Sequence, residues 1–142
     1  MSGFTRKEWI ARPPKEVFEF ITASENAPKV VSSAKSMVKL TDGSVRVGTK
    51  YLETRVMNGK DHQTELEVIE YVPNQIYAMR NFTEGIEIIY RYVFTPENDG
   101  TQLDLVCTLK ASGLKKLMLP LISSIFQKED GDHLQRLKKA ME

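Results

Sequence analysis

The chain has 142 residues, 41% of them hydrophobic and 27% charged, which fits one globular domain with enough apolar material for a core. Twenty basic residues against nineteen acidic ones leave a formal net charge of +1, which argues against a nucleic-acid binder relying on a basic field and against an acidic solvating tail. The N-terminal residues lack the apolar stretch of a signal peptide, and the longest apolar run, residues 117–122, falls far short of the roughly 20 residues of a membrane span, so a cytoplasmic protein is expected.

Phe4 to Ala11 loosely alternates apolar and polar side chains and predicts a first strand. Pro13-Pro14 then opens a short helix, since proline suits the first helical positions, with Val17, Phe18, Phe20 and Ile21 on its apolar side. A second short helical piece, interrupted by Pro28, is predicted over Ser24 to Val31, with Ser24 as its N-cap. Beyond it strand signals repeat as far as residue 111. Met37, Val38 and Leu40 precede a Thr-Asp-Gly-Ser turn at 41–44. Strands are predicted over Thr49 to Met57 and His62 to Tyr71, joined by the hairpin signal Asn58-Gly59. Three more follow, over Gln75 to Phe82, Ile86 to Thr95 and Gln102 to Lys110, separated by turns at Pro73-Asn74, Glu84-Gly85 and Asn98-Asp99-Gly100. Strands joined by such short turns predict an antiparallel meander.

Period-two alternation puts Ile88, Tyr90, Tyr92 and Phe94 on one face, as it does Leu103, Leu105, Cys107 and Leu109, and Leu66 with Val68. Cys107 thus reads as a strand core position where the thiol acts as a small hydrophobe. As the only cysteine it excludes an intrachain disulfide and a zinc site built from several thiolates. From Leu114 to Met141 the spacing becomes helical, and Pro120 is expected to kink or divide the helix near its start. The roughly 20 residues after it would form one helix about 30 Å long. About seven strands some 4.8 Å apart make a sheet over about 30 Å wide, too wide for one helix to cover if flat. The expected fold is therefore α+β: a curved antiparallel sheet wrapped around a long C-terminal helix, with two short N-terminal helices closing an edge.

This order of elements resembles the helix-grip fold of the START-like, or SRPBCC, superfamily, and most closely its polyketide cyclase/dehydrase-like family. The resemblance spans nearly the whole chain as a single domain, 1–142. It is carried by Ala-Arg-Pro-Pro-Lys-Glu-Val-Phe-Glu-Phe-Ile at 11–21, Glu-Asn-Ala-Pro-Lys at 25–29 and Val-Gly-Thr-Lys-Tyr-Leu-Glu-Thr-Arg at 47–55. Glu-Tyr-Val-Pro-Asn at 70–74, Gly-Thr-Gln-Leu at 100–103 and Leu-Gln-Arg-Leu-Lys at 134–138 complete it. Val30-Val31 departs from the pattern, because members often place tryptophan after the corresponding Pro-Lys. The resemblance implies a cavity for lipids or other hydrophobic molecules. Members include cyclases, hydrolases, carriers and protein activators, so the fold does not supply the function.

Two polar pairs are candidate sites. Asp130 and His133 fall in the same helical stripe, about 100° wide, as Leu119, Phe126 and Leu137, and residues three apart can touch. In a cavity they could orient a polar ligand group or exchange a proton; if the helix rotates or curves there, both are exposed. Two such ligands are too few for a metal site. Glu53 and Arg55 share a strand face with Tyr51 and Met57. Facing inward they would form an ion pair able to hold a polar headgroup; with Leu52 and Val56 inward instead they are an ordinary surface pair. Tyr51, Leu66, Val68, Tyr77, Met79, Tyr90, Tyr92 and Phe126 are candidate apolar walls, with plain core packing as the alternative. Trp9 is expected in the core and His62 in solvent, while Lys115-Lys116 and Lys138-Lys139 solvate the helix.

No nucleophile elbow, phosphate loop, dinucleotide fingerprint or metal-binding helix motif occurs. The expected function is non-catalytic binding or transport of a hydrophobic small molecule, with no cofactor, no metal and no nucleic acid. A polyketide cyclase/dehydrase-like enzyme using Asp130–His133 or Glu53–Arg55 and a protein-binding regulatory module are the alternatives. Monomer and homodimer are equally compatible with the sequence.

Overall fold

The computed structural model describes residues 2–83 and 85–142, so Glu84 of the predicted 84–85 turn lies outside the described residues. Tight turns built on left-handed residues organise the chain. Asn58 (φ 54°) and Gly59 (φ 74°) reverse it between β3 (Lys50–Met57) and β4 (Lys60–Val72). Asn98 (φ 49°) and Asp99 (φ 62°) do the same between β6 (Ile86–Glu97) and β7 (Gly100–Lys110). Two consecutive positive φ angles give the hairpin turn whose twist matches that of the strands, and Asn, Asp and Gly tolerate it best.

β1 (Ser2–Ile10), β2 (Ala34–Lys39) and β5 (Ile76–Thr83) complete, among the described residues, one seven-stranded sheet in the order β1-β7-β6-β5-β4-β3-β2. Every neighbouring pair is antiparallel. Five of these pairings join strands consecutive in sequence, and the sixth brings the first strand back against the last, Ser2 opposite Leu109 and Ile10 opposite Thr101. Register shifts at Val68/Glu70 in β4 and Ala34/Ser36 in β2 sharpen the local twist.

One face of the sheet is buried. Ile88, Tyr90, Tyr92 and Phe94 of β6 and Leu103, Leu105, Cys107 and Leu109 of β7 all point into it, as their alternation predicts. Against it lie α1 (Pro14–Thr22), through Val17 and Phe18, and α4 (His133–Met141), through Leu134 and Leu137. A 3₁₀ turn (Ser24–Asn26) and the short α2 (Ala27–Val30) follow α1. Ser24 does not cap this segment: it is the first residue of the 3₁₀ turn, preceded by Ala23. The turn is tied back instead by Asn26, whose Nδ2 donates to the Phe20 carbonyl at 3.0 Å.

The expected long C-terminal helix is divided. A second 3₁₀ segment (Gly113–Met118) leads into α3 (Leu119–Asp130), and Gly131 and Asp132 separate α3 from α4. Pro120 falls in the first turn of α3, where its missing N–H leaves nothing unpaired. Glycine weakens a helix, and here the Gly131 carbonyl accepts from Arg6 Nε on β1 at 3.0 Å. Trp9 also departs from expectation. Among the described residues of β1, Phe4 and Ile10 are buried, so period two places Trp9 on the opposite face, 36% exposed. Its indole N–H donates to the Glu97 carbonyl at 2.8 Å, and Lys138 Nζ lies 5.3 Å from the ring. His62 is exposed.

Candidate functional site

The inner face of β3 carries Tyr51, Glu53 and Arg55, while Val56 on the other face is exposed. Glu53 is 6% exposed and the neighbouring ion pair lies in the interior. Removing a guanidinium and carboxylates from water costs several kcal/mol per ion unless each is paired. Arg55 meets that demand twice: Nε donates to Glu53 Oε1 at 2.9 Å and Nη1 donates to Asp130 Oδ1 at 3.0 Å. The Tyr90 hydroxyl donates to the second Asp130 oxygen at 3.0 Å. Two residues along β6, the Tyr92 hydroxyl lies 2.8 Å from His133 Nε2.

Asp130 and His133 are both buried, at 1% and 6% exposure. No hydrogen bond joins them among the described residues; each meets a tyrosine of β6 instead. The reason is the break at Gly131-Asp132, which ends one helix at Asp130 and starts the next at His133. Tyr90 and Tyr92 point the same way because they are two apart on a strand, and so receive the two helix residues separately.

Burial works against the Arg55 charge, but the Tyr90 oxygen and the carboxylates of Glu53 and Asp130 outweigh it and raise its pKa, so it stays protonated. Tyr90 and Tyr92 are raised above the usual phenol value by burial and then by the nearby Asp130 carboxylate. His133 is pushed down to about 4 by burial, against the pull of Asp130. The ring is thus neutral at neutral pH, and among the described residues its buried Nδ1 has no hydrogen-bond partner. Burial and Asp130 push the Cys107 thiol up to about 12, as for an unreactive core thiol.

Above this polar floor lies a hollow. Of the residues expected to bind ligand, Glu53, Arg55, Leu66, Met79, Tyr90, Tyr92 and His133 line it. Asp130 lies behind Arg55 and Tyr90, outside the lining. Tyr51, Val68 and Tyr77 are on the same sheet face but are packed in the core, each at most 1% exposed. Tyr77 stacks on Tyr92 with ring centroids 6.4 Å apart and meets Phe18 edge-on at 6.1 Å. Phe126, on α3, is half-buried against the core and outside the hollow.

Apart from Val30-Val31, whose departure from the family pattern bears on the cavity mouth, the opposite wall was not foreseen. It consists of Phe20 and Ile21 of α1, Ser24 and Asn26 of the 3₁₀ turn, Ala27 and Val30 of α2, and then Val31 and Met37. A signal for part of it was present. Val17, Phe18, Phe20 and Ile21 spread wider than one contact stripe on a short helix; the first two enter the core and the second two face the hollow. Val30 and Val31, the pair that departs from the family's tryptophan, belong to this wall. The hollow has a cavity volume of about 50 Å³. A space of that size encloses a few waters or a small ligand group. Anything larger extends through the mouth or displaces the walls.

Among the described residues no group of three or more His, Cys, Asp or Glu is arranged to hold a metal ion, and no helix is long and apolar enough to cross a membrane.

A family model described as "Polyketide cyclase / dehydrase and lipid transport" matches residues 1–142. No curated protein matches the chain. Solved structures do. A protein of Thermus thermophilus is 18% identical with a TM-score of 0.76, over 96% of this chain and 94% of that one. The Zhui aromatase/cyclase from Streptomyces sp. R1128 is 12% identical with a TM-score of 0.76, over 97% and 92%. A START superfamily protein from Mycobacterium smegmatis is 15% identical with a TM-score of 0.71, over 97% and 95%. Likeness at these identities concerns the fold.

Proposed function

Because the chain belongs to the polyketide cyclase/dehydrase and lipid transport family of the START-like superfamily, we propose that it binds an uncharged hydrophobic small molecule in the hollow between sheet and helices, without transforming it. The observation that carries this reading is an apolar-walled hollow whose charged floor groups are already paired with one another. At formal charges, Arg55 faces two carboxylates, Glu53 and Asp130, so the floor has no spare positive charge. A ligand carboxylate would add a third anion, and at about 5 Å in an effective dielectric near 20 that repulsion is worth about 3 kcal/mol. A hydroxyl or keto group suits the floor better, since it can donate or accept at His133 and Tyr92 without bringing charge. Catalysis of the cyclase kind needs an acid or base titrating near the working pH. His133 is displaced downward from it and Tyr90 and Tyr92 upward.

The test uses a naphthol and the matching naphthoate, titrated calorimetrically into wild type and Ala27→Trp. Ala27 stands in the hollow's wall and is not fully buried, so an indole there occupies the space without straining the core. The expected result is naphthol binding that Ala27→Trp weakens at least about 10-fold, with naphthoate at least about 10-fold weaker in the wild type. Binding indifferent to Ala27→Trp, or a preference for naphthoate, would refute the reading.

A further inference from the structure

α3 and the 3₁₀ segment before it are apolar on two sides. Leu119, Ile122 and Phe126 pack towards the core. On the outside, Leu114, Leu117, Met118, Leu121 and Ile125 are 84%, 79%, 51%, 61% and 51% exposed. Their spacing of three and four residues gathers them on one side of the segment. A helix apolar all round is ordinarily buried, and a continuous row of large exposed aliphatics marks a surface that something covers.

The charge around this row indicates what. Between Asp104 and Glu129 the chain has no acidic residue and four lysines. Lys116 and Lys128 are exposed within the segment itself. The whole protein carries a net charge of only +1, so this is a local concentration of positive charge. Protein–protein interface cores favour aromatic residues, methionine and arginine and are depleted in lysine, whereas this face sets lysine beside leucine and isoleucine, with a single methionine and no exposed aromatic residue among those described. A two-fold pairing of copies would bring together two patches that both carry lysines and no balancing acidic residue between 105 and 128, since each copy presents the same patch. Aliphatic side chains at a helical surface flanked by lysines do match a bilayer whose headgroups are anionic.

We propose that the outer face of residues 114–125 docks this protein, lying flat, on an anionic lipid surface. Leu114, Leu117, Met118, Leu121 and Ile125 enter the headgroup region while Lys116 and Lys128 meet lipid phosphates and carboxylates. None of these residues lines the hollow, so the inference stands apart from the ligand reading.

The experiment is flotation of the purified full chain with vesicles of equal parts phosphatidylcholine and phosphatidylserine, and with phosphatidylcholine alone, at low salt. The variants are Leu117→Ser/Leu121→Ser and Lys116→Ser/Lys128→Ser, with thermal unfolding to verify that each keeps its fold. Wild type is expected to float with the anionic vesicles and to be released by added salt. Partitioning should drop at least about 10-fold in the leucine variant and on the order of 10-fold in the lysine variant. Failure of the wild type to float, or unchanged flotation of the folded leucine variant, overturns the proposal. So does a concentration-dependent dimer that the leucine variant abolishes, which would assign the face to a second copy.

Discussion

His133 stands at the first position of α4 with Nε2 against the Tyr92 hydroxyl, and burial holds its pKa down at about 4, with Asp130 opposing and Arg55 reinforcing the shift. An unfolded histidine titrates near 6.5. As pH falls, the unfolded chain therefore takes up this proton before the folded one. The stability contribution is complete above the unfolded pKa and is lost as pH falls towards the folded value. Between about pH 7.5 and about pH 5 this one group should remove about 2 kcal/mol of stability. Urea unfolding of wild type and His133→Phe across that range is the check: the variant should show a correspondingly flatter dependence, and identical slopes would rule out His133 as the source. At this scale the sequence took the argument only part of the way. The stripe brought Asp130 and His133 to one side of a helix, but Arg55, Tyr90 and Tyr92 as their partners come from strands some 40 to 75 residues away in the chain. The alternation of β3 was equally consistent with Glu53 and Arg55 facing in or out, because both faces carry residues that could be buried.

Among the elements, the division between α3 and α4 shapes the site most. Gly131 lies at a close approach: a Cβ there would run into the Gln127 carbonyl oxygen and lie 3.2 Å from Arg6 Nη2. Two effects compete on Gly131→Ala. Helix propensity favours alanine by up to about 1 kcal/mol, while forcing atoms into a packed site typically costs about 1–3 kcal/mol. The backbone contact is the harder of the two to relieve, so a net loss of stability is expected from denaturant midpoints. A gain would mean that the break is not held in place by its surroundings. The apolar periodicity from residue 114 to 141 identified helix correctly but not its interruption, since Gly131-Asp132 has little effect on a stripe averaged over many turns. The bond from Arg6 that engages the Gly131 carbonyl is a tertiary contact.

For the whole molecule, β1 joins the two ends of the chain. It pairs with β7 along its length, and Lys138 of α4 donates to the Trp9 carbonyl on it at 2.6 Å. The core forms one cluster that draws on α1, α4 and strands across the sheet, so unfolding should be a single transition. Trp9 is the only tryptophan and sits where β1, β6 and α4 meet, so its fluorescence should follow the same denaturant curve as far-ultraviolet circular dichroism. Leu137→Ala, which empties a fully buried α4 position, should lower both midpoints together and cost roughly 2–5 kcal/mol. A fluorescence transition that precedes loss of the sheet would show that β1 and α4 come away first.

Local physics dictates a meander from turn residues that accept positive φ, the buried face of β4, β6 and β7 from period-two alternation, and a helical C-terminal segment from its apolar spacing, and all three are legible in the chain before it folds. The demand that one helical layer cover a wide sheet implied a curved sheet with room for a hollow, and the ordered motifs resembled the family to which the chain belongs. Tertiary structure decided which face of β3 turned inward, because that choice rests on whether Arg55 can find Asp130 across the fold. It also decided that Tyr51, Val68 and Tyr77 pack as core while Met79, Tyr90 and Tyr92 border the hollow: all six share one sheet face, and only the placement of α1, α2 and α4 over that face separates covered residues from lining ones. Periodicity tells which way a side chain points; what it meets there depends on contacts between parts of the chain distant in sequence.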